Sequence, residues 1–350
     1  MNLAPTAEQE SAVGMVRDSK VSILYGGPGC GKTFTTRLII AWAKENNMRV
    51  IQAAPTGKAA KRMIEATAEP AATIHATLGC EMGEDGHFKF THNKQLKLSA
   101  DLLIIDESSM VTTNLMARLL EAVDFRHTRV LFVGDENQLP SVGAGAVLRD
   151  MLASGSIPST ELTIIHRNSG VIVKACHSVK NGRAYEPYRA LCLDLDDPIN
   201  LIHVECDTPE QTLVGVRKVM CERMPLRGFN PVDDVQVISP VNSKGILSCD
   251  NINEYIREKL NPTSGLSFTD AETVTKIGSV FRPGDKVINT KNTPITDTRG
   301  KKVNIVNGDI GRIIAVSAKR MTVQFLDPDR SVYLPANSQN IWPKIPRLKL

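Results

Sequence analysis

The stretch "VSILYGGPGCGKTFTTRLIIAWA", Val21 to Ala43, decides the fold of this chain. Its first five residues form an apolar run of strand length and its last ten an amphipathic helical pattern. The eight between them, Gly26 to Thr33, match G-x-x-x-x-G-K-[ST]. Strand, glycine-rich turn and helix in that order make a phosphate-binding loop. Its glycines let backbone N–H groups close around phosphate oxygens at a helix N-terminus, Lys32 reaches the terminal phosphates, and Thr33 binds magnesium. Gly27, Pro28, Gly29, Cys30, Gly31 and Phe34 complete the segment that wraps the nucleotide. A random chain of this length shows the pattern about one time in a hundred at average residue frequencies, which sets a chance turn aside. ATP and Mg2+ are the cofactors this loop implies.

Outward from the loop, short apolar runs alternate with helical patterns. "RVIQAA" (49–54), "DLLIID" (101–106), "RVLFVGD" (129–135) and "LTII" (162–165) read with "VSILY" as buried strands, which specifies a parallel sheet with helices on both faces. A weaker set follows, with strands expected at "NLIHV" (200–204) and "DVQVIS" (234–239) around the helical "PEQTLVGVRKVMCERM" (209–224). From about Lys276 the pattern changes to short β-type runs, "DKVIN", "GRIIAVS" and "MTVQFL", punctuated by "NGD" and "DPD". This predicts a small all-β module.

Composition bounds the class. At 350 residues, 42% hydrophobic and 23% charged, the chain is an ordinary globular protein of two or three domains. The first twenty residues carry five charged side chains and no signal-peptide core, and no window approaches about 18 uncharged apolar residues, so a cytoplasmic protein is expected. Seven scattered cysteines without a C-x-x-C spacing argue against a disulfide framework and against a zinc site. Cys176 and His177 share a helical stretch without further metal ligands, which favours a structural role. The net charge of +4 is uneven: residues 276–350 carry +9 and the rest −5. A polyanion partner and a merely solvated lysine-rich face both fit that excess.

A phosphate loop does not name a reaction, but the carboxylates narrow it. "LLIIDESS" puts Asp106 and Glu107 at the C-terminal end of an apolar strand, about 75 residues after the loop. There Asp106 would hold magnesium opposite Thr33 and Glu107 would activate water as general base, which favours hydrolysis over transfer to a metabolite. A bare helix cap is the alternative for that pair. A third strand tip, "VLFVGDENQLPSVGAG", offers Gln138 as an amide that senses the γ-phosphate; by itself the segment reads as a turn.

The order of "GGPGCGKT", "APTGKAAKRM", "TIHATLG", "LLIIDESSMV", "GDENQLPSVGAGAVL" and "LTIIHRNSG" resembles superfamily 1 DNA helicases of the RecD-like branch. "DVQVISPVNSKG" and "FRPGDKVINTKN…VNGDIGRI" extend the likeness along the chain. The resemblance implies a first RecA-like ATP-binding domain over 1–165, a second, incomplete RecA-like domain over 166–275, and an inserted SH3-like β-barrel over 276–345. It implies ATP hydrolysis driving 5′ to 3′ movement on single-stranded DNA. By the same likeness Gln9 reads adenine through its amide, with a surface helix residue as the alternative, and Arg167 acts on the γ-phosphate; His166 beside it reads as a packing residue. Pro55, Thr56, Gly57, Lys58, Thr73 and His75 match segments that hold the DNA backbone. For His75 a structural role competes, and Ala76 departs from the larger polar residue of many relatives.

The family pattern does not finish within these residues, since segments resembling "HKSQGSE" and "YTALTRA" are not in the sequence. The resemblance therefore expects a second polypeptide or further sequence to supply them, and a second domain short of strands with an open sheet edge. Two functions of different class remain: an ATP-dependent helicase, and an ATP- and DNA-binding module with weak or no turnover. An unrelated metabolite kinase or GTPase leaves "GDENQLP" and the basic β module without a purpose.

Overall fold

The computed structural model describes residues 4–82, 88–164, 170–184, 201–262, 281–317, 320–326, 329–335 and 341–343. The chain divides into two compact units, Met1–Asn168 and Ser169–Leu350.

In the first unit the elements follow as α1 (Ala7–Asp18), β1 (Val21–Gly26), α2 (Lys32–Glu45), β2 (Val50–Ala54), α3 (Gly57–Thr67), β3 (Ala71–Thr73), α4 (Ile74–Thr77), β4 (Cys80–Met82) and β5 (Phe88–Phe90). They continue as β6 (Leu102–Ile105), α5 (Thr113–Ala122), β7 (Arg129–Gly134), α6 (Val147–Ala153) and β8 (Ser159–Leu162). Six strands make a parallel sheet in the order β3-β2-β6-β7-β1-β8. The continuous apolar runs arise because alternate residues serve opposite faces that are both covered. Leu24, Leu102, Ile104, Leu131 and Val133 pack with Ile39, Ile40 and Met63 on one side. Ile23, Leu103, Ile105, Val130 and Phe132 pack with Met116, Leu119 and Leu148 on the other. The loops after β1, β6 and β7 therefore leave the same edge of the sheet side by side.

Two expectations shift here. The strand read at 162–165 lies earlier, at Ser159–Leu162. The Glu8 carboxylate of α1 accepts the backbone N–H groups of Thr163 and Ile164, so those donors leave the ladder. The short β3 and the antiparallel β4–β5 hairpin carry too few residues for a period-2 signal.

The second unit contains α7 (Gly170–Lys180), α8 (Pro209–Lys218), α9 (Met224–Leu226) and α10 (Cys249–Leu260), with a π-helical turn at Val219–Arg223 joining α8 to α9. The strands expected at 200–204 and 234–239 are not formed among the described residues; Ile202 makes only an isolated bridge. Val235 and Val237 pack against the small core of Met220, Ile252 and Ile256 without a ladder partner. Apolarity buries such a segment, but only a neighbouring strand makes it a strand. Beyond it come β9 (Lys286–Asn289), β10 (Thr293–Thr296), β11 (Lys302–Ile305), β12 (Ile310–Val316), β13 (Arg320–Leu326), β14 (Asp329–Pro335) and β15 (Ile341–Pro343). Five of them pair antiparallel as β14-β13-β12-β9-β15, and β10 with β11 forms a separate hairpin. Val287, Ile313, Val323, Phe325 and Val332 fill this β module. Among the described residues no helix is long and apolar enough to cross a membrane.

Candidate nucleotide site and DNA groove

Two left-handed glycines, Gly29 (φ 80°) and Gly31 (φ 85°), bend the loop after β1 so that α2 begins at Lys32. Gly31 is the cap residue and gives no side-chain bond, and the first turn of α2 holds no acidic residue. Its leading N–H groups are thus left to the helix dipole and to an incoming anion. Lys32 Nζ donates to the carbonyls of Gly26 at 2.6 Å and Gly27 at 3.0 Å, curling over the loop it belongs to. Thr33 and Pro28 are exposed, Gly27, Gly29 and Phe34 half-buried, and Cys30 buried, where burial pushes its thiol pKa up.

Thr33, Asp106 and Glu107 line one cavity of about 440 Å³, with Thr36, Ala59, Arg62, Met63, Ala66 and Thr67 as its other walls. Burial raises the pKa of both carboxyls and the charge of Lys32 opposes that rise; for Glu107 the neighbouring Asp106 adds to it. Asp106 also accepts the Glu107 N–H at 2.8 Å. Glu107 holds φ 50°, a left-handed conformation that few residues with a side chain adopt, at the start of the 3₁₀ turn Ser108–Met110. A hydroxyl and a carboxylate are hard oxygen donors of the kind magnesium takes, and an uncapped helix start takes phosphate, so the residues present fit Mg2+ and a nucleoside triphosphate.

The other predicted residues divide. Gln138 is exposed in the loop after β7, where its N–H donates to the Asp135 carbonyl. Gln9 is 2% exposed, not a surface residue; its Oε1 accepts the Thr6 N–H at 3.0 Å in a capping box that starts α1. Arg167 and His166 lie outside the described residues. Pro55, Thr56 and His75 line a second, open groove of about 800 Å³ with Phe88, Phe90, Met110, Asn114, Arg118 and Val142. Gly57 and Lys58 begin α3 directly behind its cap Thr56, and Thr73 caps α4, of which His75 is the second residue. The His75 and Phe90 rings lie 6.4 Å apart.

Sequence reading gave no role to four residues of these sites. Asp135 is buried at the tip of β7 and its charge acts on Glu107. Arg62 reaches the nucleotide cavity from α3, and Phe88 with Phe90 reaches the groove from the β4–β5 hairpin. Asp135 stands within the quoted "GDENQ" segment and was within reach of the motif, whereas the other three are placed by tertiary packing alone.

A phosphate loop at the edge of a parallel sheet, facing paired carboxylates across one cavity, defines a P-loop nucleotide-binding α/β protein. Residues 9–144 match the AAA domain family, and residues 252–325 match the ATP-dependent RecD-like DNA helicase SH3 domain. Over 321 residues the chain is 34% identical to the ATP-dependent RecD2 DNA helicase of Deinococcus radiodurans, covering 91% of this chain and 39% of that protein. It is 37% identical over 201 residues to the RecBCD enzyme subunit RecD of Mycolicibacterium smegmatis, covering 51% of this chain and 36% of that protein. A crystal structure of Bacteroides Pif1 bound to ssDNA shares the fold, with a TM-score of 0.51 at 17% identity over 95% of this chain and 74% of that one. These matches bear out the resemblance carried by the motif order: the chain is related to the RecD-like helicases. It spans well under half the length of the two relatives it matches.

Proposed function

We propose that the chain is the ATP-gripping portion of a RecD-like helicase, which hydrolyses ATP to move 5′ to 3′ along single-stranded DNA. The observation that carries this reading is the convergence of Thr33, Asp106 and Glu107 on one cavity beside an uncapped helix N-terminus. The groove lined by Pro55, Thr56 and His75 belongs to the same unit and supports a DNA track next to the motor.

In this mechanism the N–H groups of Gly29 to Thr33 hold the β- and γ-phosphates, and Lys32 leaves its loop carbonyls for the terminal phosphate oxygens. Thr33 and Asp106 would hold Mg2+, which would supply charge neutralisation of the triphosphate. Glu107 orients and deprotonates the attacking water, Gln138 reports the γ-phosphate to the loop after β7, and Arg167 stabilises the transferring phosphoryl group. Gln9 reads adenine; a bidentate contact draws its Oε1 away from the Thr6 cap. Pro55, Thr56, Gly57, Lys58, Thr73 and His75 hold the DNA backbone, where the caps of α3 and α4 leave N–H groups for phosphate.

The domain division that accompanies this reading is a first RecA-like domain over 1–165, a second over 166–275 and an SH3-like barrel over 276–345. The test is ATP turnover by the purified protein with and without oligo-dT, followed by unwinding of a 5′-tailed duplex against a 3′-tailed one. Turnover stimulated by single strands, with unwinding of the 5′-tailed substrate once segments resembling "HKSQGSE" and "YTALTRA" are supplied, is expected. Nucleotide and DNA binding without turnover even with those segments supplied would replace the helicase reading with that of a binding module.

A further inference from the structure

Helix α3 borders two cavities, one at its N-terminal cap and one along its length. Pro55 and its cap Thr56 line the groove proposed for DNA, whereas Ala59, Arg62, Met63, Ala66 and Thr67 line the cavity that holds Thr33, Asp106 and Glu107. Thr56 and Arg62 are six residues apart, about 9 Å along the helix axis. Between them the helix is fixed by its core side, since Ala59, Ala60 and Met63 are buried. Thr56 and Arg62 therefore sit on one short, packed helix.

Arg62 is exposed on the cavity wall, and among the described residues no hydrogen bond or ion pair engages its guanidinium. Four charged groups act on Glu107 across this space: Asp106 beside it, Asp135 from the tip of β7, Lys32 from α2 and Arg62 from α3. Of the two cations, Lys32 is bonded to the Gly26 and Gly27 carbonyls and is required by the triphosphate once nucleotide binds. Arg62 is then the cation left facing the Glu107 carboxylate.

We propose that Arg62 is the positioning residue for Glu107, an α3-borne cation that aligns the water-activating carboxylate when the start of the same helix grips single-stranded DNA. The proposal rests on the reading of the groove as the DNA track and of Glu107 as general base. It adds a physical link between them: two sites joined by one rigid helix.

The test compares the protein with its Arg62→Gln and Arg62→Lys variants, whose exposed position leaves folding intact, checked by an unchanged thermal midpoint. The primary readout needs no turnover: the change in affinity for oligo-dT on adding Mg2+ with a non-hydrolysable ATP analogue. Such coupling is typically about 5- to 150-fold. Arg62→Gln is expected to bring that factor close to one while the affinity for the analogue alone is unchanged, and Arg62→Lys to restore part of it. The second readout is DNA-stimulated kcat, expected to fall about tenfold in Arg62→Gln with KM for ATP unchanged, and to fall no further when Glu107→Gln is already present. An equal coupling factor in Arg62→Gln and the unsubstituted protein overturns the inference, as does absence of any coupling in the unsubstituted protein. Absence of turnover with coupling intact counts against the hydrolase reading alone, and the coupling factor still decides the role of Arg62.

Discussion

Lys32 lies with its ammonium on two carbonyls of its own loop, at 2.6 and 3.0 Å, and in the proposed mechanism a phosphate draws it from there. Because its charge also offsets the burial of Asp106 and Glu107, its removal takes away both the phosphate contact and the counter-charge of the cavity. Lys32→Ala is therefore expected to lower DNA-stimulated ATP turnover about 100-fold or more, the usual loss when one preorganised charge contact to the reacting group is removed. Salt-sensitive binding to single strands should persist, since Pro55, Thr56 and His75 line a different groove. Turnover assays and fluorescence anisotropy check both halves, and retained hydrolysis would refute the phosphate-loop assignment. At this scale the sequence was most legible where chemistry is local: loop, lysine and threonine are contiguous, and Asp106 with Glu107 closes a run of four fully buried strand residues. Arg62 was not legible, because nothing in "GKAAKRM" says which of its basic residues turns toward a carboxylate forty-five positions away.

Elements meet tightly where the phosphate loop begins. Gly26 ends β1 beside Leu162 of β8, and a Cβ placed on Gly26 would sit 2.5 Å from the Leu162 carbonyl oxygen, a backbone atom that yields only if the strands part. Gly26→Ala should destabilise the first unit by about 1–3 kcal/mol, as overpacking does, and loosen nucleotide binding with it. Denaturant unfolding of the variant measures the first effect and nucleotide titration the second. In the β module, Asp297 is 4% exposed and accepts the N–H groups of Lys301 and Arg299 in the turn between β10 and β11. Those bonds, foremost that from Lys301, hold its pKa below the usual carboxylate range against the opposing effect of burial. A lowered folded-state pKa means the carboxylate contributes stability above that range and loses it as the pH falls through it. The thermal midpoint should drop as the pH falls below about 5 and on through the ordinary carboxylate range, and Asp297→Asn should flatten that drop. The β10–β11 hairpin in "NTPITDTRGKKVNIV" was not read from the sequence, because its strands are four residues each and its turn is held by Asp297, which no periodicity reveals.

At the scale of the whole molecule, the +9 of residues 276–350 turns out to be partly internal. Arg312 donates to Asp233, Arg282 to Glu258 and the Asn261 carbonyl, Arg330 pairs with the buried Asp309, and Lys286 bonds the Val232 carbonyl. Arg320 stacks 4.5 Å from the centre of the exposed Tyr333 ring. Lys291, Lys301 and Lys302 remain exposed and without an ion pair among the described residues. Replacing these three by glutamine should reduce the salt dependence of single-strand binding by about 0.7 in log–log slope for each phosphate that is no longer neutralised. An unchanged slope would make them a solvated face. The sequence by itself determined the four inner strands of the first unit's sheet, the phosphate loop and its carboxylates, and the switch to an all-β module. Those features follow from apolar periodicity and contiguous motifs, which act over a few residues. Tertiary structure alone decided that β8 ends at Leu162, that 234–239 stays unladdered, and which arginines are spent inside the fold. It alone brought one face of α3 to the cavity of Thr33, Asp106 and Glu107 and its cap to the groove, because ladder pairing, ion pairing and cavity walls depend on residues far apart in the chain.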